Sequence, residues 1–304
     1  MSSFQLTGLT AAPVTPMDEN GDVNYAQIEV LARLYEKNGL TGVFISGTTG
    51  EGPSLTHSEK KEILKVWAEA KGNLKAIYCV GGTSIREMQE LVEMTQGFEL
   101  DGYAILPPYY YKPGTVANMV EISAQISAVA PELPFYYYHI PGLTGCHFSM
   151  RDYLEQASEK LPSLVGIKYS HSDPYDFQRA KMYKDGKYNM LWGSDEVLLS
   201  ALVAGADGAV GSTYNYAAPL YHRVITAFEA GDLQEARKWQ AKAVEMVSLL
   251  IKYGGTGATK AFMKVIGVDC GGYRLPLRSP SGEEITHLSQ ELESIGFFEF
   301  CSMR

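Results

Sequence analysis

Eight short apolar runs, spaced about one strand-plus-helix unit apart, constrain this chain more than any other feature. They start near Leu9 (LTAAPV), Gly42 (GVFISG), Lys75 (KAIYCVG), Gly102 (GYAILP), Pro134 (PFYYYHI), Leu164 (LVGIKYS), Asn189 (NMLWGS) and Gly208 (GAVGSTY), at intervals of 33, 33, 27, 32, 30, 25 and 19 residues. Each run is rich in Val, Ile, Tyr and Phe without clean polar alternation, the pattern of a strand buried on both faces. Helical spacing fills the intervals: Ile28, Leu31, Ala32 and Tyr35 share one face, as do Ile63, Leu64, Trp67 and Ala68. Ser58-Glu59-Lys60 reads as the start of the second helix and Asp173-Pro174 as the start of another. Strands alternating with helices give an α/β fold with a parallel sheet. Eight units and no G-x-G-x-x-G after the first run favour a closed (β/α)8 TIM barrel over an open doubly wound sheet.

After about Ala230 the pattern changes. Leu233, Ala236, Trp239, Val244, Val247 and Leu250 recur at helical intervals between Asp232 and Tyr253, and shorter helical pieces follow near Ala258–Ile266 and Ser289–Ile295. Three helices bury little core alone, so the expectation is a barrel over residues 1–230 with a helical extension over 231–304 packed on it, together one structural domain. Of the 304 residues, 45% are hydrophobic and 20% charged, which excludes a disordered or fibrous chain. With 26 basic against 35 acidic residues, the net charge of −9 argues against a nucleic-acid partner. No apolar run reaches the length of a membrane span, and the start, MSSFQL, lacks the pattern of a leader. Cys79, Cys146, Cys270 and Cys301 show neither C-x-x-C nor metal-site spacing. A reduced, cytoplasmic protein is expected.

In such a barrel the working residues lie at the carboxyl ends of the strands. One residue stands out there: Lys168, inside the sixth run after Leu164-Val165-Gly166-Ile167. A lysine aimed into a barrel is desolvated, which favours a neutral nucleophilic amine able to form a Schiff base with a keto group. The ordinary alternative is a lysine that snorkels to water or pairs with a carboxylate. Gly47-Thr48-Thr49-Gly50 offers two hydroxyls and backbone N–H groups that suit a small carboxylate, or it is simply a tight turn capping a helix. Phosphate fits less well, because the turn holds no Lys or Arg. Tyr138 closes the fifth run, where a hydroxyl near an imine relays protons. Tyr136 and Tyr138 share a face that Tyr137 does not, although tyrosine runs are commonly core filling. Asp195 and Glu196, after the seventh run, either accept hydrogen bonds from a polyol or open a helix with acidic residues.

Taken together, Gly47-Thr48-Thr49-Gly50-Glu51, Tyr138-x-Ile140-Pro141 and Gly166-x-Lys168 resemble the N-acetylneuraminate lyase and dihydrodipicolinate synthase superfamily, over nearly the whole chain. Tyr138-His139-Ile140-Pro141-Gly142-Leu143-Thr144-Gly145 and Trp192-Gly193-Ser194-Asp195-Glu196 are more similar to the lyase branch; the synthase branch usually carries an arginine where this chain has Leu143. The resemblance implies a class I aldolase that cleaves N-acetylneuraminate reversibly to N-acetylmannosamine and pyruvate. Lys168 would form the Schiff base, Tyr138 would relay protons, and Thr48 and Thr49 would hold the pyruvate carboxylate. Ser170, Gly193, Asp195, Glu196, Gly211 and Ser212 would line the sugar pocket. Tyr110 resembles a catalytic tyrosine supplied by a neighbouring subunit, with Tyr109 and Tyr111 as the adjacent choices, and the implied assembly is a homotetramer. No metal or organic cofactor is implied. The rival readings are a 2-keto-3-deoxy sugar acid aldolase, a dihydrodipicolinate synthase, and a non-catalytic barrel that binds sugar acids.

Overall fold

A computed structural model describes residues 4–303; Met1-Ser2-Ser3, which open the MSSFQL start, lie outside the described residues. Eight parallel strands close into a barrel in sequence order. They are β1 (Gly8–Ala11), β2 (Gly42–Ile45), β3 (Lys75–Val80), β4 (Gly102–Ile105), β5 (Phe135–His139), β6 (Leu164–Tyr169), β7 (Asn189–Trp192) and β8 (Gly208–Gly211). β8 returns to β1 with Gly8 opposite Gly208 and Ala11 opposite Gly211, which leaves no open sheet edge. All eight apolar runs are therefore strands. Inside the barrel Phe44, Ile77, Cys79, Ala104, Leu106, Tyr136, Tyr138, Leu191 and Val210 pack together. The outward-facing Val43, Ile45, Tyr78, Tyr103, Tyr137 and Tyr169 join the larger core beneath the helices. At the amino end Asn189 seals the barrel, accepting from Leu6 N–H (3.0 Å) and from the Tyr136 hydroxyl (2.7 Å).

The barrel helices are α1 (Ala26–Lys37), α2 (His57–Ala70), α3 (Ile85–Thr95), α4 (Val116–Ser127), α5 (Pro141–Thr144), α6 (Met150–Ala157), α7 (Pro174–Lys181), α8 (Leu198–Val203) and α9 (Tyr214–Glu229). Asp173 caps α7 through the N–H groups of Tyr175 and Asp176, with Pro174 at the first helical position, as the sequence suggests. The start of α2 differs from expectation. Thr56, not Ser58, is the cap, because Thr56 and Glu59 exchange hydrogen bonds in a capping box and leave Ser58 inside the first turn.

The extension consists of α10 (Leu233–Lys252), α11 (Thr259–Val265) and α12 (Gly282–Ser294). α10 buries Ala236, Ala243, Met246, Val247 and Leu250 and runs along α9. Leu233 and Val244 fall outside that stripe and are exposed, contrary to their place in the apolar pattern. α12 begins well before Ser289, at a second capping box between Ser281 and Glu284.

Candidate active site

Lys168 ends up inside the barrel near its carboxyl end, only 3% exposed. Its Nζ lies 4.0 Å from the centroid of the Phe44 ring and 4.1 Å from that of Tyr138. These two rings stand nearly perpendicular, 5.4 Å apart, and form an aromatic corner around the amine. Among the described residues Lys168 enters no ion pair, so neither ordinary fate of a strand lysine, solvent or salt bridge, applies. By contrast Lys75, at the amino end of β3, pairs with Asp101 at 2.9 Å. Phe44 is a residue that the reading of strand ends passed over; the signal was its alternation with Val43 and Ile45 in β2, which turns position 44 inward.

Thr48 and Thr49 follow β2 across the barrel mouth. A small cavity of about 20 Å³ is walled by Ser46, Gly47, Thr48, Cys79, Leu106, Tyr138 and Lys60. It places the Thr48 turn and Tyr138 against one space. Lys60, from α2, brings a cation to this wall that the turn's own sequence lacks, and burial lowers its pKa. Cys79 points into the same space, its thiol pushed up to about 12 by burial and therefore held as the neutral SH.

The residues expected to line a sugar pocket lie at, or just past, the carboxyl ends of β6, β7 and β8. Ser170 hydrogen-bonds through its N–H to His139 O, and Gly193 to Tyr169 O, both at 2.8 Å. A Cβ at Gly193 would overlap Ser170 Oγ, and one at Gly211 would overlap the Asp195 carboxyl, so both glycines are required by close approach. Asp195 Oδ2 accepts from Thr213 N–H (2.8 Å) and Thr213 Oγ1 (2.7 Å), and the Tyr221 hydroxyl lies 2.7 Å from that Oγ1. Burial raises the Asp195 carboxyl to about 6, against the lowering pull of the Thr213 bonds. Asp195 and Glu196 do open a short helical turn, Asp195–Val197, but Asp195 does so buried in a polar network and not as a solvated acid. Glu196 and Ser212, its neighbours at the two strand ends, are half-buried at the rim.

Tyr110 is not brought to this site within one chain. It is 75% exposed, edge-on to Tyr111, which is 85% exposed. Tyr109 instead helps wall a separate 320 Å³ cavity with His57, Lys60, Thr83 and Glu87. Leu143 is 64% exposed and offers no charge. On the outer side of β5 the buried His139 ring lies tilted beside that of Tyr169 (5.0 Å) and edge-to-face with that of His171 (5.6 Å). Burial and the two neighbouring imidazoles of His171 and His147 push its pKa down to about 3, so it is neutral. Among the described residues no group of three or more His, Cys, Asp or Glu side chains is arranged to hold a metal ion. No described helix is long and apolar enough to cross a membrane.

Comparison with known proteins agrees with this architecture. Residues 5–295 match the Dihydrodipicolinate synthetase family. The chain is 38% identical to the N-acetylneuraminate lyase of Homo sapiens and 37% identical to that of Rattus norvegicus, in each case over 99% of this chain and 96% of the relative. Among solved structures, the Proteus mirabilis N-acetylneuraminate lyase superposes with a TM-score of 0.94 at 36% identity, over 97% of this chain and 100% of that one. With a lysine on the sixth strand of a closed barrel and a family match over nearly the full length, the chain belongs to the Dihydrodipicolinate synthetase family.

Proposed function

We propose that this chain is an aldolase that cleaves N-acetylneuraminate reversibly to N-acetylmannosamine and pyruvate through a Schiff base on Lys168. The observation that carries the reading is the buried Lys168 amine, unpaired with any acid among the described residues and set against the ring of Tyr138. The similarity to N-acetylneuraminate lyases over 96% of their length supports the substrate.

In this mechanism the open-chain sugar acid places its carboxylate on Thr48 and Thr49 and its C2 ketone at Lys168 Nζ. The amine adds to C2 and water leaves, giving an imine. Tyr138, left as the tyrosinate after giving its proton to the hydroxyl that departs as water, takes the C4 hydroxyl proton; the C3–C4 bond breaks, and its electron pair moves into the cationic imine to form an enamine. N-acetylmannosamine departs as an aldehyde. Tyr138 returns a proton to C3, and water then adds to C2 and releases pyruvate from the lysine. Thr48, which walls the same cavity as Tyr138, orders the tyrosine hydroxyl as well as the carboxylate. Ser170, Gly193, Asp195, Glu196, Gly211 and Ser212 receive the sugar's hydroxyls. The reaction uses no metal or organic cofactor.

The exposed Tyr110 acts in a neighbouring subunit of a homotetramer, and the protein works in the cytoplasm, in keeping with four free thiols. Incubation with pyruvate and borohydride, followed by mass spectrometry and peptide mapping, should give one reduced adduct on Lys168, and N-acetylneuraminate should yield N-acetylmannosamine. No adduct, or an adduct on another lysine, overturns the mechanism. Much faster turnover of 2-keto-3-deoxygluconate overturns the substrate.

A further inference from the structure

The turn that carries Thr48 and Thr49 is held from outside the barrel. Glu51, just past it, has a left-handed backbone (φ 58°) that a non-glycine residue adopts only when its surroundings impose it. Those surroundings come from the C-terminal extension. Lys260 Nζ, on α11, donates to Glu51 Oε1 at 2.7 Å and to Gly272 O at 2.7 Å, and the pair is essentially sealed from solvent. The other oxygen, Glu51 Oε2, accepts from Arg274 N–H at 2.8 Å. The Tyr273 hydroxyl donates to Thr49 O at 3.1 Å, while its ring covers Lys260 Nζ at 4.4 Å. From the barrel side Thr15 Oγ1 donates to Gly50 O at 2.6 Å.

A buried ion pair is a poor way to gain stability, because desolvation offsets most of the attraction and apolar replacements of both partners are often neutral. What such a pair supplies is a defined geometry. The clamp also borders open space: Lys260, Tyr273 and Arg274 are walls of an 880 Å³ cleft between residues 17–24 and the extension. Its polar contacts converge on the turn, at Thr49 O and Glu51.

We propose that Tyr273 and Lys260 of the C-terminal extension are positioning residues for the keto-acid carboxylate, acting through Thr49 and Glu51 on the Gly47–Gly50 turn. This rests on the aldolase reading above. It makes the extension part of the catalytic apparatus rather than a cover for the barrel.

Tyr273→Phe keeps the ring over Lys260 and removes the hydroxyl that donates to Thr49 O and lies against the Thr259 side chain, a loss worth about fivefold in binding. In the synthetic direction the KM for pyruvate, and the pyruvate concentration for half-maximal borohydride trapping, should rise about fivefold. The KM for N-acetylmannosamine should move by less than twofold, because that substrate is received on β6 to β8. Lys260→Met alone strands a buried carboxylate, so the double variant Glu51→Gln with Lys260→Met is the second test. It should fold, with a larger rise in the pyruvate KM than Tyr273→Phe. Unchanged pyruvate values in Tyr273→Phe, with or without a lower Tm, overturn the proposal, as does an equal rise in both KM values. Failure of the double variant to fold leaves Tyr273→Phe to decide. Absence of any pyruvate adduct in the wild-type protein overturns the aldolase reading itself, a result separable from all of these.

Discussion

Tyr138 and Lys168 are register partners in the β5–β6 ladder. Neighbouring parallel strands lie about 4.8 Å apart, so the ladder itself sets both side chains at one height in the barrel, independent of any loop. Tyr138→Phe should therefore leave the lysine in place. The variant should still trap pyruvate with borohydride, while turnover falls about 10²- to 10⁴-fold, the usual value of a positioned proton-transfer group. Lys168→Ala should lose both trapping and cleavage with an unchanged circular dichroism spectrum. A Tyr138→Phe enzyme that turns over at the wild-type rate removes the tyrosine from the mechanism.

Asp195 gives a signed pH effect. Burial raises its carboxyl to about 6, above the ordinary aspartate value of 3.8. Between those pH values the folded state keeps a proton that the unfolded chain has released, so this group lowers stability as pH rises from about 4 to 6. The cost above pH 6 is on the order of 3 kcal/mol. Asp195→Asn, which keeps an acceptor for Thr213, should raise Tm at pH 7 more than at pH 4, and should weaken binding of the sugar. An Asn variant whose Tm gain is the same at both pH values contradicts the buried, raised carboxyl.

His139 works in the opposite direction. It stays neutral in the folded protein down to about pH 3, whereas an ordinary imidazole protonates near 6.5. Stability from this group is present above pH 6.5 and is lost as pH falls toward 3, by a few kcal/mol in all. His139→Phe carries a pH-independent packing cost, so the slope of Tm against pH is the readout. The slope between pH 6.5 and 4 should be shallower in the variant than in the wild-type protein.

Gly193 leaves no room for a side chain beside Ser170 Oγ. Gly193→Ala should displace that hydroxyl and raise the KM for N-acetylmannosamine about 3- to 10-fold, the value of one hydrogen bond. Pyruvate trapping on Lys168 should be spared. Equal damage to pyruvate trapping would mean that the substitution disturbs the whole β6–β7 edge.

Much of this protein is local and therefore visible in the chain. Strands buried on both faces write themselves as apolar runs, and eight such runs at near-regular intervals favour the barrel over an open sheet. The same parity turns Lys168 and Tyr138 inward, and the strand ends mark Thr48, Ser170, Gly193 and Gly211 as neighbours at one mouth. Tertiary structure decided what joins segments far apart. Tyr273 meets Thr49 across 224 positions and Lys260 meets Glu51 across 209. Neither contact leaves a periodicity to read, because hydrogen bonds between distant segments depend on how whole elements pack. The protonation of Asp195 is of the same kind: an acidic residue at a helix start is solvated by default, and only its burial, packed against Gly211, raises its pKa against the opposing Thr213 bonds. Exposure of Leu233 and Val244 on α10 likewise follows from which stripe of that helix α9 covers, a choice that helical spacing alone leaves open.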